Sequence, residues 1–346
     1  MLEIDGSERS GSGTILRLTT ALATILGEDL HIYNIRKRRG QPGLRPQHLE
    51  AVITAAKLCG AEVKGATVNS QELWFRPGKI VGGQVDAKIG TAGSIPMLLL
   101  TILPICAYAE KNVQIHVTNG GTDTIHAPPI NYLRHILLPI LGRMGLESIL
   151  EIHKYGYYPK GMGEVTLTIH PHPKLSPLKL EEFGKLDKLR GTSVCTFLKD
   201  RRVADRQAEN AQKILKAKRL RADIDVVYDE SNPLQKGSSL VLWAETDKGA
   251  LLGGDAIGEI RKSSEAVGDE AAKKILTELE SGATVDVYLA DMLVPYVALA
   301  EGESVYLTRS LTEHLDTNIW FTQKILGTEF KVEEINGLYR IQSRGR

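Results

Sequence analysis

The chain has 346 residues, of which 42% are hydrophobic and 25% charged, an ordinary globular composition that excludes an intrinsically disordered protein and suggests two or three compact units. Forty-three basic residues against forty-two acidic leave a formal charge of +1, so a nucleic-acid partner must be met by a local basic patch and not by bulk attraction. Cys59, Cys106 and Cys195 stand far apart in apolar runs without metal spacing, and Met1 to Gly6 has no basic segment leading into an apolar core, which together predict a cytoplasmic protein in a reducing compartment.

In chain order, a strand over Leu2 to Asp5 is followed by a helix over Gly13 to Leu26, a strand over Leu30 to Ile35 and a helix opened by Gln47 and His48. That helix ends at Gly60, where a C-cap needs positive φ. The same rhythm returns with a helix over Ser94 to Ala109, a strand over Val113 to Val117 and a helical stripe of Leu133, Ile136, Leu137, Ile140 and Leu141 before Gly145. Pro96 and Pro104 break the apolar run Ile95 to Ala109, so it reads as a buried helix and no membrane partner is expected. A third copy runs through Asp291 to Ala300, Ser304 to Thr308 and the helix before Gly327.

Gly60 to Gly145 is 85 residues and Gly145 to Gly327 is 182, so the second spacing carries an excess of 97. Between them the rhythm changes to a strand (Thr192 to Phe197), a helix (Ala204 to Ala217), strands Ile224 to Tyr228 and Ser238 to Thr246, and a helix (Ser264 to Ser281), with a further strand left open. The sequence thus predicts an α/β chain in which residues 1–184 and 283–346 form three α/β repeats and 185–282 an inserted βαββα domain. The insert has a basic helix end, Lys213 to Arg219, but no catalytic set, and is expected to serve RNA affinity or stability and not catalysis.

Chemistry concentrates in the loop from Asn34 to Leu49. Arg36, Lys37, Arg38 and Arg39 are followed by the turn Pro42-Gly43 and by Gln47-His48 at a helix start, which puts phosphate ligands and an anion-attracting helix end together. Gly11-Ser12-Gly13-Thr14 opens the first helix and offers free amides to an oxyanion, although it matches neither GxGxxG nor the P-loop. Gly90 to Ser94 and Gly120 to Asp123 are similar loops, for which plain turn-making is the alternative. His314 stands at the opening of a helix in the third copy, where a cap or surface role would be usual.

Taken together, the chain resembles the RNA 3′-terminal phosphate cyclase family over nearly its whole length. The resemblance is carried by Ile4-Asp5-Gly6 with Gly11-x-Gly13-x-Ile15-Leu16-Arg17, Ile35-Arg36 to Gln47-His48-Leu49, Phe75-Arg76-Pro77-Gly78 and the two further glycine loops with Ala127-Pro128-Pro129. It continues through Gly156-Tyr157-Tyr158-Pro159-Lys160-Gly161, Leu289-Ala290-Asp291 and His314-Leu315-x-Thr317-Asn318. It implies three βαβαββ repeats interrupted by a thioredoxin-like βαββα insert. It also implies ATP-dependent cyclisation of RNA 3′-phosphate ends through a covalent adenylate on His314.

In that reading Arg17, Arg36 and Arg39 match the essential arginines, Gln47 and His48 the Gln-His pair, and Asp291, just ahead of a helix, an essential acid near the nucleotide. Adenine would lie between Tyr288 and Pro128 or Pro129, with Met292 where a Gln often follows the acid and Asn318 closing the His motif. The implied cofactors are ATP and Mg²⁺ or Mn²⁺. Ser10 occupies the position of a metal-binding Glu in bacterial members, which leaves Glu8 and Asp291 as candidate metal ligands. A non-catalytic relative in ribosome assembly lacks the adenylated His, and enolpyruvyl transferases share the repeat without the insert or the Arg-Gln-His set.

Overall fold

The computed structural model describes residues 1–345 as a mixed α/β protein with four four-stranded sheets. Three sheets share one pattern, a parallel pair followed by two antiparallel partners. The first places Leu2–Asp5, Leu30–Tyr33, Leu73–Arg76 and Glu62–Lys64 side by side, and the second Gly83–Lys88, Val113–Gly120, Gly163–Ile169 and Ser148–Lys154. In the third, Lys179–Leu180 lies beside Glu303–Thr308, Leu338–Arg344 and Glu329–Ile335, so its first strand is separated in sequence from the other three.

Each of these sheets is half-buried and alternates accordingly; Val113–Gly120 buries Val113, Ile115 and Val117 and turns Gln114 and His116 outward. The buried faces pack on helices Gly13–Leu26, Pro46–Cys59, Ile95–Cys106, Val287–Leu299 and Glu313–Leu326, and their apolar side chains merge into one core. Among the described residues no helix is long and apolar enough to cross a membrane. The stripe from Leu133 to Leu141 is not one regular helix. Leu133–Leu137 is a π segment, in which the Leu138 amide bonds back to the Leu133 carbonyl. Pro139, lacking an N–H, cannot continue the regular ladder there.

The fourth sheet orders Asp223–Asp229, Leu186–Thr196, Gly237–Thr246 and Leu251–Ile257, with helices Val203–Ala217 and Ser264–Ser281 on one face around a separate apolar cluster. This segment holds one strand more than the expected βαββα. Leu251–Ile257 contains Gly253-Gly254, which in sequence reads as a turn. In the fold these glycines allow close approach on both faces. A Cβ on Gly253 would come within 2.5 Å of the Tyr132 ring, and one on Gly254 within 2.5 Å of the Ile275 backbone nitrogen. The outer face of this sheet meets the main core, where Trp243 stacks on His135 at 4.2 Å and 3°.

Candidate active site

A cavity of about 750 Å³ opens where the glycine loop 11–14, the basic loop and helices Val287–Leu299 and Glu313–Leu326 converge on the fourth sheet. Ser12 caps helix Gly13–Leu26 by accepting the Thr14 amide at 3.3 Å, and the Thr14 hydroxyl donates to Asn318 Oδ1 at 3.3 Å. Asn318 Nδ2 in turn donates to the Asp291 carbonyl at 2.9 Å. Three helix ends are thereby tied around one space. Asn318 serves as this strut while also lining the cavity.

The basic loop is held by its own backbone. Arg36, at φ +56°, donates from Nη1 to the Gln41 carbonyl at 2.7 Å and to the Gly43 carbonyl at 2.8 Å. Gly43 is required here, since its φ is +82° and a Cβ would lie 2.3 Å from the Asn69 carbonyl oxygen. Gln47 Oε1 accepts the Ser94 amide at 2.6 Å and so fixes the second glycine loop. His48 Nδ1 accepts the Arg45 amide at 3.4 Å as part of a capping box, which leaves its Nε2 directed toward Gly13.

Arg17, Arg36, Arg39, His48 and His314 therefore crowd one end of the cavity. Arg36 is spent on loop carbonyls, whereas the guanidiniums of Arg17 and Arg39 make no hydrogen bond or ion pair among the described residues. Burial lowers Arg17 to about 10 with the adjacent guanidiniums adding to the shift, so it still carries its charge at neutral pH. Burial, together with Arg17, Arg36 and Arg45, pushes His48 well below the usual imidazole range. His314 is lowered by burial and by Arg17 and Arg39, and its Nδ1 is buried without a partner. Two neutral imidazoles thus face fixed positive charge. That is an arrangement for attack on, and retention of, a polyanion.

Several expectations need correction. Asp291 lies inside helix Val287–Leu299, not ahead of it; the cap is Asp286, whose carboxylate accepts the Tyr288 and Leu289 amides, the Tyr132 hydroxyl and the Gly253 amide. Burial raises Asp291 to about 7 against the opposing charge of Arg17. Of the two prolines, Pro128 lines the cavity with Tyr288 and Met292, while Pro129 caps the short helical turn Ile130–Tyr132 and is not on the wall.

A family model for RNA 3′-terminal phosphate cyclase matches residues 8–332. Curated relatives of that name are 42% identical over 99% of this chain and 98% of the protein from Pyrobaculum aerophilum, and 43% identical over 96% of each chain for Thermococcus onnurineus. The protein from Methanopyrus kandleri is 38% identical over 97% of this chain and 96% of its own. The chain belongs to the RNA 3′-terminal phosphate cyclase family. Membership makes it an enzyme of that class.

Among the described residues the carboxylates form no all-protein cage for a divalent ion, which Mg²⁺ does not need where nucleotide phosphates supply other ligands. Among the described residues no three His, Cys, Asp or Glu side chains converge, and Glu8 lies off the cavity, 3.4 Å from Lys324. Asp291 faces the cavity and feels Arg17 as its opposing charge. The residues that sequence reasoning missed come from the fourth sheet and its helix. Asp255, Lys262, Glu270 and Lys274 line the cavity, so the segment expected to serve RNA affinity or stability and not catalysis contributes to its wall. No sequence motif marks them; the spacing of Gly253-Gly254 before Asp255 is the nearest signal, because two bare backbones in a strand imply close packing on both faces.

Proposed function

We propose that the chain converts an RNA 3′-phosphate end to a 2′,3′-cyclic phosphate using ATP, with His314 as the group that carries AMP. The neutral imidazole of His314 attacks the α-phosphorus of ATP, a phosphorus–nitrogen bond forms, and the bond to the β-phosphate breaks to release pyrophosphate. An oxygen of the RNA 3′-phosphate then takes the adenylyl group, breaking that bond and freeing His314. The ribose 2′-hydroxyl attacks the activated terminal phosphorus, AMP leaves, and the hydroxyl proton goes to a base. Asp291, held at about 7, is our candidate for that proton.

The observation that carries this reading is the partnerless, neutral His314 beside the unpaired guanidiniums of Arg17 and Arg39 in one cavity. Arg17 and Arg39 would hold phosphate oxygens, and Arg36 would keep the loop in shape while facing them. Gln47 would fix the 90–94 loop, and His48 would add a neutral hydrogen bond. Tyr288 and Pro128 would bracket the adenine ring. In this reading residues 1–184 and 283–346 form the catalytic part and 185–282 an inserted domain that closes its far end, a division supported by the separate apolar cluster of that segment. The test is incubation of a 3′-phosphate oligoribonucleotide with ATP and scoring of its end for phosphatase resistance. Ends that stay phosphatase-sensitive would overturn the reading.

A further inference from the structure

No hydrogen bond among the described residues orients the His314 imidazole; its Nδ1 is buried without a partner. The ring is therefore aimed by the backbone that delivers it, at the second residue of helix Glu313–Leu326. Past the helix start that backbone is well tied, since the Thr317 hydroxyl accepts the Ser10 amide at 3.2 Å and Asn318 bridges Thr14 and the Asp291 carbonyl. Ahead of it the chain is almost free. Strand Glu303–Thr308 ends at Thr308 and the cap is Thr312; between them, Ser310 and Leu311 make no hydrogen bond among the described residues. Arg309 supplies the one anchor, donating from Nε to Glu278 Oε1 at 2.9 Å.

Glu278 belongs to the inserted segment. It lies one turn beyond Lys274 on helix Ser264–Ser281, so the helix face that lines the cavity continues onto the loop ahead of His314. The helix exit keeps the two elements in register: the Thr284 and Val285 amides donate to the Leu307 carbonyl at 2.9 and 3.1 Å, and the Leu307 amide donates to Thr284 Oγ1 at 2.8 Å. Glu278 is 3% exposed, while the Arg309 side chain keeps 35%. Burial, with the charge of Asp286 added, raises the Glu278 carboxyl to about 7 against the opposing charge of Arg309. A buried ion pair of this kind adds little stability beyond what apolar residues of similar size would, and its use is in fixing one geometry.

We propose that Glu278 and Arg309 are positioning residues for adenylation: through them the inserted segment grips the chain just ahead of the Thr312 cap and sets the reach of His314 toward the nucleotide. This rests on the adenylation reading above and gives the 185–282 segment a part in that step, against the sequence expectation that it serves RNA affinity or stability and not catalysis. Without the grip the cap at Thr312 still forms, but the helix start is free to shift. A displacement of about 1 Å at a reacting atom can cost about 100-fold in rate. Closure of an RNA end that already carries AMP does not use the imidazole as nucleophile, so it should not depend on the pair.

The experiment follows two reactions of the full chain: single-turnover labelling by α-labelled ATP, and cyclisation of an RNA end supplied already adenylated. Arg309→Met and Glu278→Ala should slow labelling at saturating ATP by about 10- to 100-fold, with the half-saturating ATP concentration and the closure of adenylated ends each within about threefold of wild type. Glu278→Gln, which keeps an oxygen for the Arg309 Nε, should label within about threefold of wild type. Arg309→Met keeps the test alive if Glu278→Ala fails to fold, because the raised Glu278 carboxyl can meet the loss of its partner by taking up a proton. Folded Arg309→Met labelling at the wild-type rate, an equal loss in both reactions, a change confined to the half-saturating ATP concentration, or Glu278→Gln as slow as Glu278→Ala overturns the positioning pair while adenylation stands. A wild type left unlabelled by ATP overturns the adenylation reading itself.

Discussion

Gly13→Ala is a one-carbon perturbation whose effect can be worked out from contacts. The added Cβ would lie 2.2 Å from His48 Nε2, 2.9 Å from His48 Cδ2 and 3.1 Å from Arg17 Nη1. Ordinary contact begins near 3.4 Å, so the imidazole must retreat by about 1 Å or the helix start must yield. His48 is buried and pinned at Nδ1 by the Arg45 amide, and retreat breaks that capping bond. Overpacking of this kind costs about 1 to 3 kcal/mol, partly offset by the gain of up to about 1 kcal/mol for Ala over Gly in a helix. The net loss should leave the protein folded, with a melting temperature lowered by a few degrees. Displacing a phosphate-facing group by about 1 Å can cost about 100-fold in rate, so cyclisation should fall far more than stability. Adding His48→Ala should remove the main clash without recovering activity. Wild-type cyclisation by Gly13→Ala would refute the placement of His48 against the first helix.

The arginines divide by what they touch. Arg39→Ala, which breaks no bond among the described residues, should lower cyclisation by about 10- to 150-fold with an unchanged melting temperature, while Arg36→Ala should lose both activity and loop order because two carbonyls lose their donor. Lys64→Ala, exposed at the end of strand Glu62–Lys64 and without a side-chain bond among the described residues, is the control; Arg340 would not serve, because it bonds Gln342 and approaches Glu181 and Glu333. For Asp291 the sign follows from its raised pKa: protonated in the fold up to about 7 but only up to the ordinary carboxylate range when unfolded, it destabilises the native state as pH rises from about 4 through 7. The melting temperature of Asp291→Asn relative to wild type should therefore rise between pH 5 and pH 8, and an unchanged difference would show that Asp291 ionises normally.

How much of this was legible in the sequence depends on whether a signal is local. Ser12 and Thr312 announce helix starts by being capping residues just before apolar periodicity, and Gly27, Gly60 and Gly327 end their helices with positive φ. His314 and the Arg36 to His48 loop could be found because their chemistry is dense in a short stretch. Asp286 could not be recognised as a cap because the reading began the helix at Asp291, and its task of joining Tyr132, Gly253 and a helix start is tertiary. The π segment at Leu133–Leu137 keeps its apolar stripe and differs only in hydrogen bonding, which periodicity cannot see. Asp255 and Lys274 were invisible for the same reason: they lie on a strand and a helix that meet only in the packed inserted segment, and the cavity they line also takes residues from the main core.

The central claim, that His314 carries AMP, is tested most directly by mapping the label after incubation with α-labelled ATP alone. We expect one adenylyl group on the peptide containing His314, stable to alkali and lost in acid as a phosphoramidate is, and no label on folded His314→Ala. A label that maps to a lysine or serine, or that persists in full on the folded His314→Ala protein, would contradict the account.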